Sequence, residues 1–475
     1  MPSPSRHHPS WVQIAGCLGF VVVLIDVSVV NVALEALRTT FHAGVTGLQW
    51  VINAYALVFA SFLLMAGALG DRFGAKRVFM MGFALFTLAS IGCGMAQNLH
   101  GLIIWRLVQG VGAALLVPTS LSLLRQAFQD HSARNRAIGW WGASGGIALA
   151  AGPVIGGVLI ATLGWRSIFL VNVPVGLIGL WITGRYAPRS PIQIGRSLDL
   201  PGQVTGVLAL ATLTFALTQT SSLGWGSPVI LGAAILFVMF AALFLRLELR
   251  NPSAMLPPAL FRDSTVSSAT AIGMIVNLAF YGMVFTFSLF FQSVQHLTPL
   301  RTGLAFLPMM AILMLMNLAA GRLLGRIGAR ALTTAGLLIS AVGYLLMLPA
   351  LAAQSYYLLV LPMLLAGSGI ALTIPSITSA TLAAVSSTQA GIASGLLNAA
   401  RQVGGVVGVA WFGFFVRHAE TVSFMHGMYQ ALLVTVALLV VGAVVGFFGL
   451  QAPAGPGNSS LHKLIAVKQR RASSL

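Results

Sequence analysis

The chain has 475 residues, 57% of them hydrophobic and only 7% charged, against about 25% charged residues in ordinary soluble domains. That is too little polar surface to coat a water-soluble particle, and apolar runs of about 20 residues, the length of a spanning helix, recur from end to end. The formal charge of +18 lies in short groups between those runs, which is the pattern of a topology signal and not of a nucleic-acid face.

The first apolar run, from Trp11 to about Leu34, is too long for a signal-peptide core and lacks a small-residue cleavage site, so it reads as a retained span. Further runs give a set of fourteen, centred near residues 23, 59, 88, 112, 148, 177, 211, 238, 279, 313, 342, 367, 403 and 439. An even number puts both termini on one side. With that side cytoplasmic, Arg38, Arg166, Arg301 and Arg417 fall outside, Arg106 and Arg401 fall within the membrane, and the remaining 20 of 26 basic residues are inside. The positive-inside rule selects this orientation, which predicts a multi-pass inner (plasma) membrane protein with cytoplasmic termini. The two cysteines, Cys17 and Cys93, lie in apolar runs and supply neither a disulfide framework nor a metal site. The tail 451–475 is basic, a solvated end facing lipid headgroups.

The chain repeats itself in parallel. Gly67-Ala-Leu-Gly-Asp71-Arg72-Phe-Gly74-Ala75-Lys76 after span 2 aligns with Gly321-Arg-Leu-Leu-Gly325-Arg326-Ile-Gly328-Ala329-Arg330 after span 10, 254 residues on. Gly110 to Pro118 in span 4 aligns with Gly367 to Pro375 in span 12, and Gly152 and Gly156 with Gly404 and Gly408. Span n thus matches span n+8. The expected fold is an all-α polytopic membrane protein in a 6+2+6 arrangement. It comprises a six-helix bundle (1–186), two linker spans (187–262), a second six-helix bundle (263–450) and the tail, with the halves related about the membrane normal.

Three motifs carry a family resemblance. Gly67 to Arg77 resembles G-x-L-x-D-R-x-G-x-K/R; Arg106-Leu-Val-Gln109-Gly110-Val-Gly112 resembles R-x-x-Q-G-x-G; Gly152-Pro153-Val-Ile-Gly156-Gly157 resembles the antiporter signature G-P-x-x-G-G. Together with Asp26 to Ala33, Trp50 with Tyr55, and Trp165 to Gly176, they resemble the major facilitator superfamily, in its fourteen-span drug:proton antiporter branch. That resemblance implies the major facilitator fold with fourteen transmembrane helices, no cofactor, and export of small molecules against protons. Two positions depart from it: Glu35 stands where the branch usually has proline, and Gly325 replaces the acid of the first loop motif.

The residues carry a reading of their own. Asp71, with Gly67, Arg72, Gly74 and Arg77, forms a gating loop in which a carboxylate at a helix start is favoured by the dipole, and Arg125 or Arg134 is its expected partner. Asp26 is the only acid well inside a span, and Arg106 reaches a similar depth from the other side. Isolated intramembrane charge is costly, so each needs a partner or a wet cavity. Burial favours the neutral carboxyl and a nearby arginine the ionised one, which makes Asp26 with Arg106 the candidate proton-coupling pair. Gly152, Pro153, Gly156 and Gly157 allow close helix approach and a kink, here read as a leak-suppressing seal.

Arg401 has Leu149 as its repeat counterpart and so is not a remnant of duplication. Tyr55, Gln109, Asn277, Phe280, Tyr281, Asn317, Asn398, Arg401 and Gln402 are the candidate cavity residues. No lysine follows a glycine, which excludes the G-K-[ST] phosphate loop and nucleotide-driven transport. No nucleophile–base set or metal cluster points to an enzyme. The expected partners are a small-molecule substrate, protons and the bilayer, with a periplasmic adaptor admitted by the exporter resemblance and no nucleic acid. Proton-coupled transport of one metabolite or organic anion is the alternative, and a non-transporting sensor on the same fold a more distant one.

Overall fold

The computed structural model describes residues 8–188, 199–251, 255–353, 355–386, 389–417 and 420–450. The expected basic tail and part of the polar segment before the seventh span lie outside them. The described residues form helices without strands. Fifteen of these are α-helical in chain order: α1 (Pro9–Val32), α2 (Leu34–Phe41), α3 (Val45–Phe73), α4 (Ala75–Gly94), α5 (Leu99–Ala127), α6 (His131–Leu163), α7 (Ser167–Leu170), α8 (Asn172–Tyr186), α9 (Leu200–Leu223), α10 (Pro228–Arg250), α11 (Ser264–Leu289), α12 (Pro299–Ala352), α13 (Tyr356–Ala384), α14 (Ala390–Phe415) and α15 (Thr421–Gly449). A 3-10 turn, Pro258–Arg262, precedes α11 and a π-helical turn, Phe290–Val294, follows it.

Among the described residues, twelve helical segments are long and apolar enough to cross a membrane, as expected of a multi-pass protein. One of them, α12, has 54 residues, about 80 Å at the helical rise and far more than one bilayer needs. Its helix is broken at Gly328, which has φ 79° and ψ 164°. Gly74, between α3 and α4, has φ 91°. These glycines occupy the same place in the two copies of the loop repeat, and in each copy the backbone turns through a region that disfavours a Cβ. α14, with 26 residues, is also long enough to span, although it carries Asn398, Arg401 and Gln402 and is not among the twelve.

Two short helices escape a reading based on span-length apolar runs. Leu34–Phe41 is an eight-residue amphipathic helix, too short to cross a bilayer. Ser167–Leu170 forms a separate turn before α8. Asp71 also differs from the reading above: it lies in the last turn of α3, not at a helix start. The dipole of α3 therefore opposes its charge. Arg125 occupies the last turn of α5 and Arg134 the first turns of α6. Lys76 donates from Nζ to the carbonyls of Gly184 (2.9 Å) and Ala187 (2.8 Å), closing the C-terminal end of α8.

The end of the bundle where α1 stops and α12 begins is called the far end below; the near end is that of the α3–α4 turn. Two seams join the first half to the second, α6 against α12 and α3 against α14. α9 packs on both α3 and α14, with α10 alongside it.

Candidate functional site

Asp26 lies on α1, 17 residues from its start, and is fully buried. Arg106, on α5, is 1% exposed and pairs with it, Nη1 donating to Oδ2. Nη1 also donates to Gln109 Oε1 (2.7 Å), one turn along α5, and Nε donates to the Val51 carbonyl (3.0 Å) of α3. Gln109 Nε2 completes the ring by donating to Asp26 Oδ1 (2.8 Å) and to Ser90 Oγ (2.9 Å) on α4. From α8, Asn172 Nδ2 donates to Asp26 Oδ1 (3.3 Å) and Ser90 Oγ (3.4 Å). The Tyr55 ring lies under the guanidinium, 4.3 Å from its carbon, and the Tyr55 hydroxyl is buried without a hydrogen-bond partner.

Five helices of the first half thus converge on one carboxylate. Arginine and two amides all donate to it. Tyr55 and Gln109, expected on the cavity wall, belong to this cluster. Asn172 falls within the Trp165 to Gly176 stretch, and Ser90 lies in no motif of the sequence.

The other cavity candidates form a looser group. Arg401 Nη1 donates to Asn398 Oδ1 (3.3 Å), and its Nε is buried without a partner. Tyr281 packs over Gly405, where a Cβ would lie 2.8 Å from its ring. Asn277 and Phe280 are buried on α11, Asn317 is exposed on α12, and Gln402 is partly buried beside Arg401. No contact brings all nine residues together.

The glycines of α6 make the seams. A Cβ at Gly152 would lie 2.5 Å from Ser28 Cβ, and one at Gly156 would lie 3.2 Å from Val29 Cα, both on α1. One at Gly157 would meet Leu300 Cα of α12 at 2.8 Å; from the α12 side, one at Gly303 would meet the Pro153 carbonyl oxygen at 2.2 Å. The Gly-Pro signature therefore joins α6 to α1 and to the opposite half at once. Nearer the other end, Gly139, Gly142 and Gly146 of α6 and Gly321 and Gly325 of α12 have open space where a Cβ would be.

Polar links across the halves add to the far-end seam. Gln49 Nε2 of α3 donates to the carbonyls of Val409 and Ala410 on α14, each at 3.0 Å. Ser288 Oγ donates to the Asn31 carbonyl. Glu35 accepts from Arg38 Nε (2.8 Å) and Nη2 (2.7 Å) and from Ser293 Oγ (2.8 Å), which lies in the other half. The carboxylate raises the proton affinity of Arg38 further. Gln49 lies outside the motifs of the sequence.

Residues 16–409 match the family model described as Major Facilitator Superfamily. The chain is 38% identical over 411 residues to a methylenomycin A resistance protein of Bacillus subtilis, covering 86% of this chain and 88% of that one. It is 36% identical over 469 residues to a methylenomycin A resistance protein of Streptomyces coelicolor, covering 98% and 95%. Among solved structures, a D-xylose-proton symporter superposes with a TM-score of 0.69 at 14% identity, covering 93% of this chain and 98% of that one. At that identity the likeness is one of fold.

Proposed function

The chain belongs to the major facilitator superfamily, and on that premise we propose that it exports amphipathic small molecules in exchange for protons by alternating access. Its relatives are named for resistance to an antibiotic, and a membrane transporter confers resistance by removing the compound. The fourteen-span, 6+2+6 reading is supported by the apolar helices, by the break that divides α12 at Gly328, and by α14. The distribution of basic residues supports an inner-membrane location with the near end cytoplasmic.

In this orientation the far-end contacts of Gln49, Ser288, Gly157 and Gly303 close the periplasmic side. The open space beside the near-end glycines suits a state facing the cytoplasm. Alternating access then breaks the far-end seam and makes one around the loop that carries Asp71.

The observation that carries the proposal is the buried Asp26–Arg106–Gln109 ring. It is an intramembrane charge set in the half that bears the motifs, and such groups mark coupling-ion pathways. A proton arriving at Asp26 neutralises it and frees Arg106, so protonation and rearrangement of the bundle are one event. The deciding experiment is pH-gradient-driven flux in proteoliposomes with wild type and Asp26→Asn. The account requires loss of gradient-driven flux in the variant with its fold intact.

The charge of the substrate has a second reading. Arg401 has a buried Nε without a partner, and after Asp263 the sequence contains only one acid, Glu420. An anionic group on the substrate would complete Arg401. In the same assay, competition by organic anions alone would favour that reading over general amphipathic export.

A further inference from the structure

Away from Asp26, two carboxyl groups meet at the near end of the linker hairpin. Asp199 caps α9, its Oδ1 accepting from the Gly202 amide at 3.0 Å. Glu248, in the last turn of α10, is only 2% exposed, and its Oε2 accepts from the Leu256 amide at 2.9 Å in the connector towards α11. The remaining oxygen of each, Asp199 Oδ2 and Glu248 Oε1, is buried without a hydrogen-bond partner. Both converge on one point: a Cβ at Gly202 would lie 2.4 Å from Asp199 Oδ2 and 2.8 Å from Glu248 Oε1. The two side chains are within hydrogen-bonding reach.

Among the described residues, the charged groups on the surrounding elements are Arg246 and Arg250 of α10, Arg262 and Asp263 before α11, and Arg72 at the end of α3. Among the described residues none forms an ion pair with either carboxyl. Two adjoining carboxylates in such a place cannot both stay ionised, and two buried acceptors facing each other need a hydrogen between them. We infer that Asp199 and Glu248 share a single proton, forming a proton-binding site in the linker hairpin distinct from Asp26. The shared hydrogen bond ties the start of α9 to the end of α10, while the other two oxygens hold the first turn of α9 and the connector.

The site has mechanical reach. α9 is fastened to the first half by Gln203 Nε2 on the Ser61 carbonyl (2.8 Å) and by Asn53 Nδ2 on Thr218 Oγ1 (3.1 Å), and it also packs on α14 of the second half. Loss of the proton places two like charges at the root of this wedge and loosens the hairpin from the connector. Asp26 belongs to a separate cluster, 17 residues up α1 and roughly 25 Å from its start.

The test uses the full chain in lipid nanodiscs. Infrared pH-difference spectra should contain a protonated-carboxyl band that is lost in Asp199→Asn and in Glu248→Gln but retained in Asp26→Asn. In the wild type, the protection of the Gly202 and Leu256 amides, measured as exchange relative to an unprotected amide at the same pH, should fall about tenfold over the pH interval in which that band disappears. This second readout needs no variant and stays decisive if the substitutions impair folding. A band unchanged in both linker variants, exchange that does not follow the band, or a response to added sodium, potassium or calcium at constant pH would overturn the inference. Loss of the band in the linker variants alongside wild-type flux in Asp26→Asn would retain this site while refuting Asp26 as the coupling carboxyl.

Discussion

A methyl group at Gly303 tests the far-end seam. The added Cβ would begin 2.2 Å from the Pro153 carbonyl oxygen and 3.2 Å from the Val154 nitrogen. Ordinary contact starts at 3.4 Å, so α12 must withdraw from α6 by about 1.2 Å, the difference between 3.4 and 2.2 Å. The obstacle is backbone, which cannot turn aside as a side-chain tip can. Overpacking of this kind costs about 1–3 kcal/mol, and if that cost falls only on the state closed at the far end, its population ratio drops roughly 5–150-fold. Thiol labelling of Val409→Cys, a buried far-end position, in a background lacking Cys17 and Cys93, reads that ratio from the far end. Gly303→Ala should speed labelling by a factor in this range and raise proton leak through proteoliposomes. Gly321→Ala, on the same helix with nothing within 4 Å, should change neither, since alanine is the better helix former. Equal labelling in the two variants would refute the assignment of this contact to the seal.

Removing Gln49's two hydrogen bonds to α14 with Gln49→Leu should favour far-end opening by about 1–3 kcal/mol, measured by the same labelling; slower labelling would contradict it. Arg106→Ala leaves Asp26 buried without its cation and should cost about 3–5 kcal/mol. Adding Asp26→Asn should recover much of that loss in thermal unfolding, and a purely additive double variant would argue against the pair. At the start of α6, the Ala133 amide and the Ser132 hydroxyl hold the Asp130 carboxyl below the usual carboxylate range. Its capping contribution is therefore complete at neutral pH and is lost as pH falls through that lowered value. Asp130→Ala should speed hydrogen exchange in the first turn of α6 at neutral pH and converge with wild type in acid.

Apolar run length made the long helices legible because a bilayer fixes the length of its spans. The same logic could not find Leu34–Phe41, whose eight residues are amphipathic and carry Glu35 and Arg38. It placed Asp71 at a helix start because glycine-rich sequence marks a turn without marking its edge; the chain stays helical to Phe73. The meeting of Asp26 with Arg106 followed from depth alone, since few charges lie in the membrane and each needs a partner. Ser90 and Asn172 are ordinary polar residues in sequence and become part of the site only because α4 and α8 pack beside α1. Asp199 and Glu248 carry no signal of a site in the sequence; the burial of Glu248 and of Asp199 Oδ2 depends on how α9 folds back on α10.

The most direct test of the central claim is proton-driven flux in proteoliposomes, with an imposed pH gradient and cationic, neutral and anionic compounds offered to wild type and Asp26→Asn. The ring around Asp26 predicts that the variant loses gradient-driven uphill transport. Substrate-driven exchange without a gradient should persist in it, because the rest of the fold is unchanged. Undiminished gradient-driven flux in a correctly folded Asp26→Asn protein would contradict the assignment of Asp26 as the coupling carboxyl.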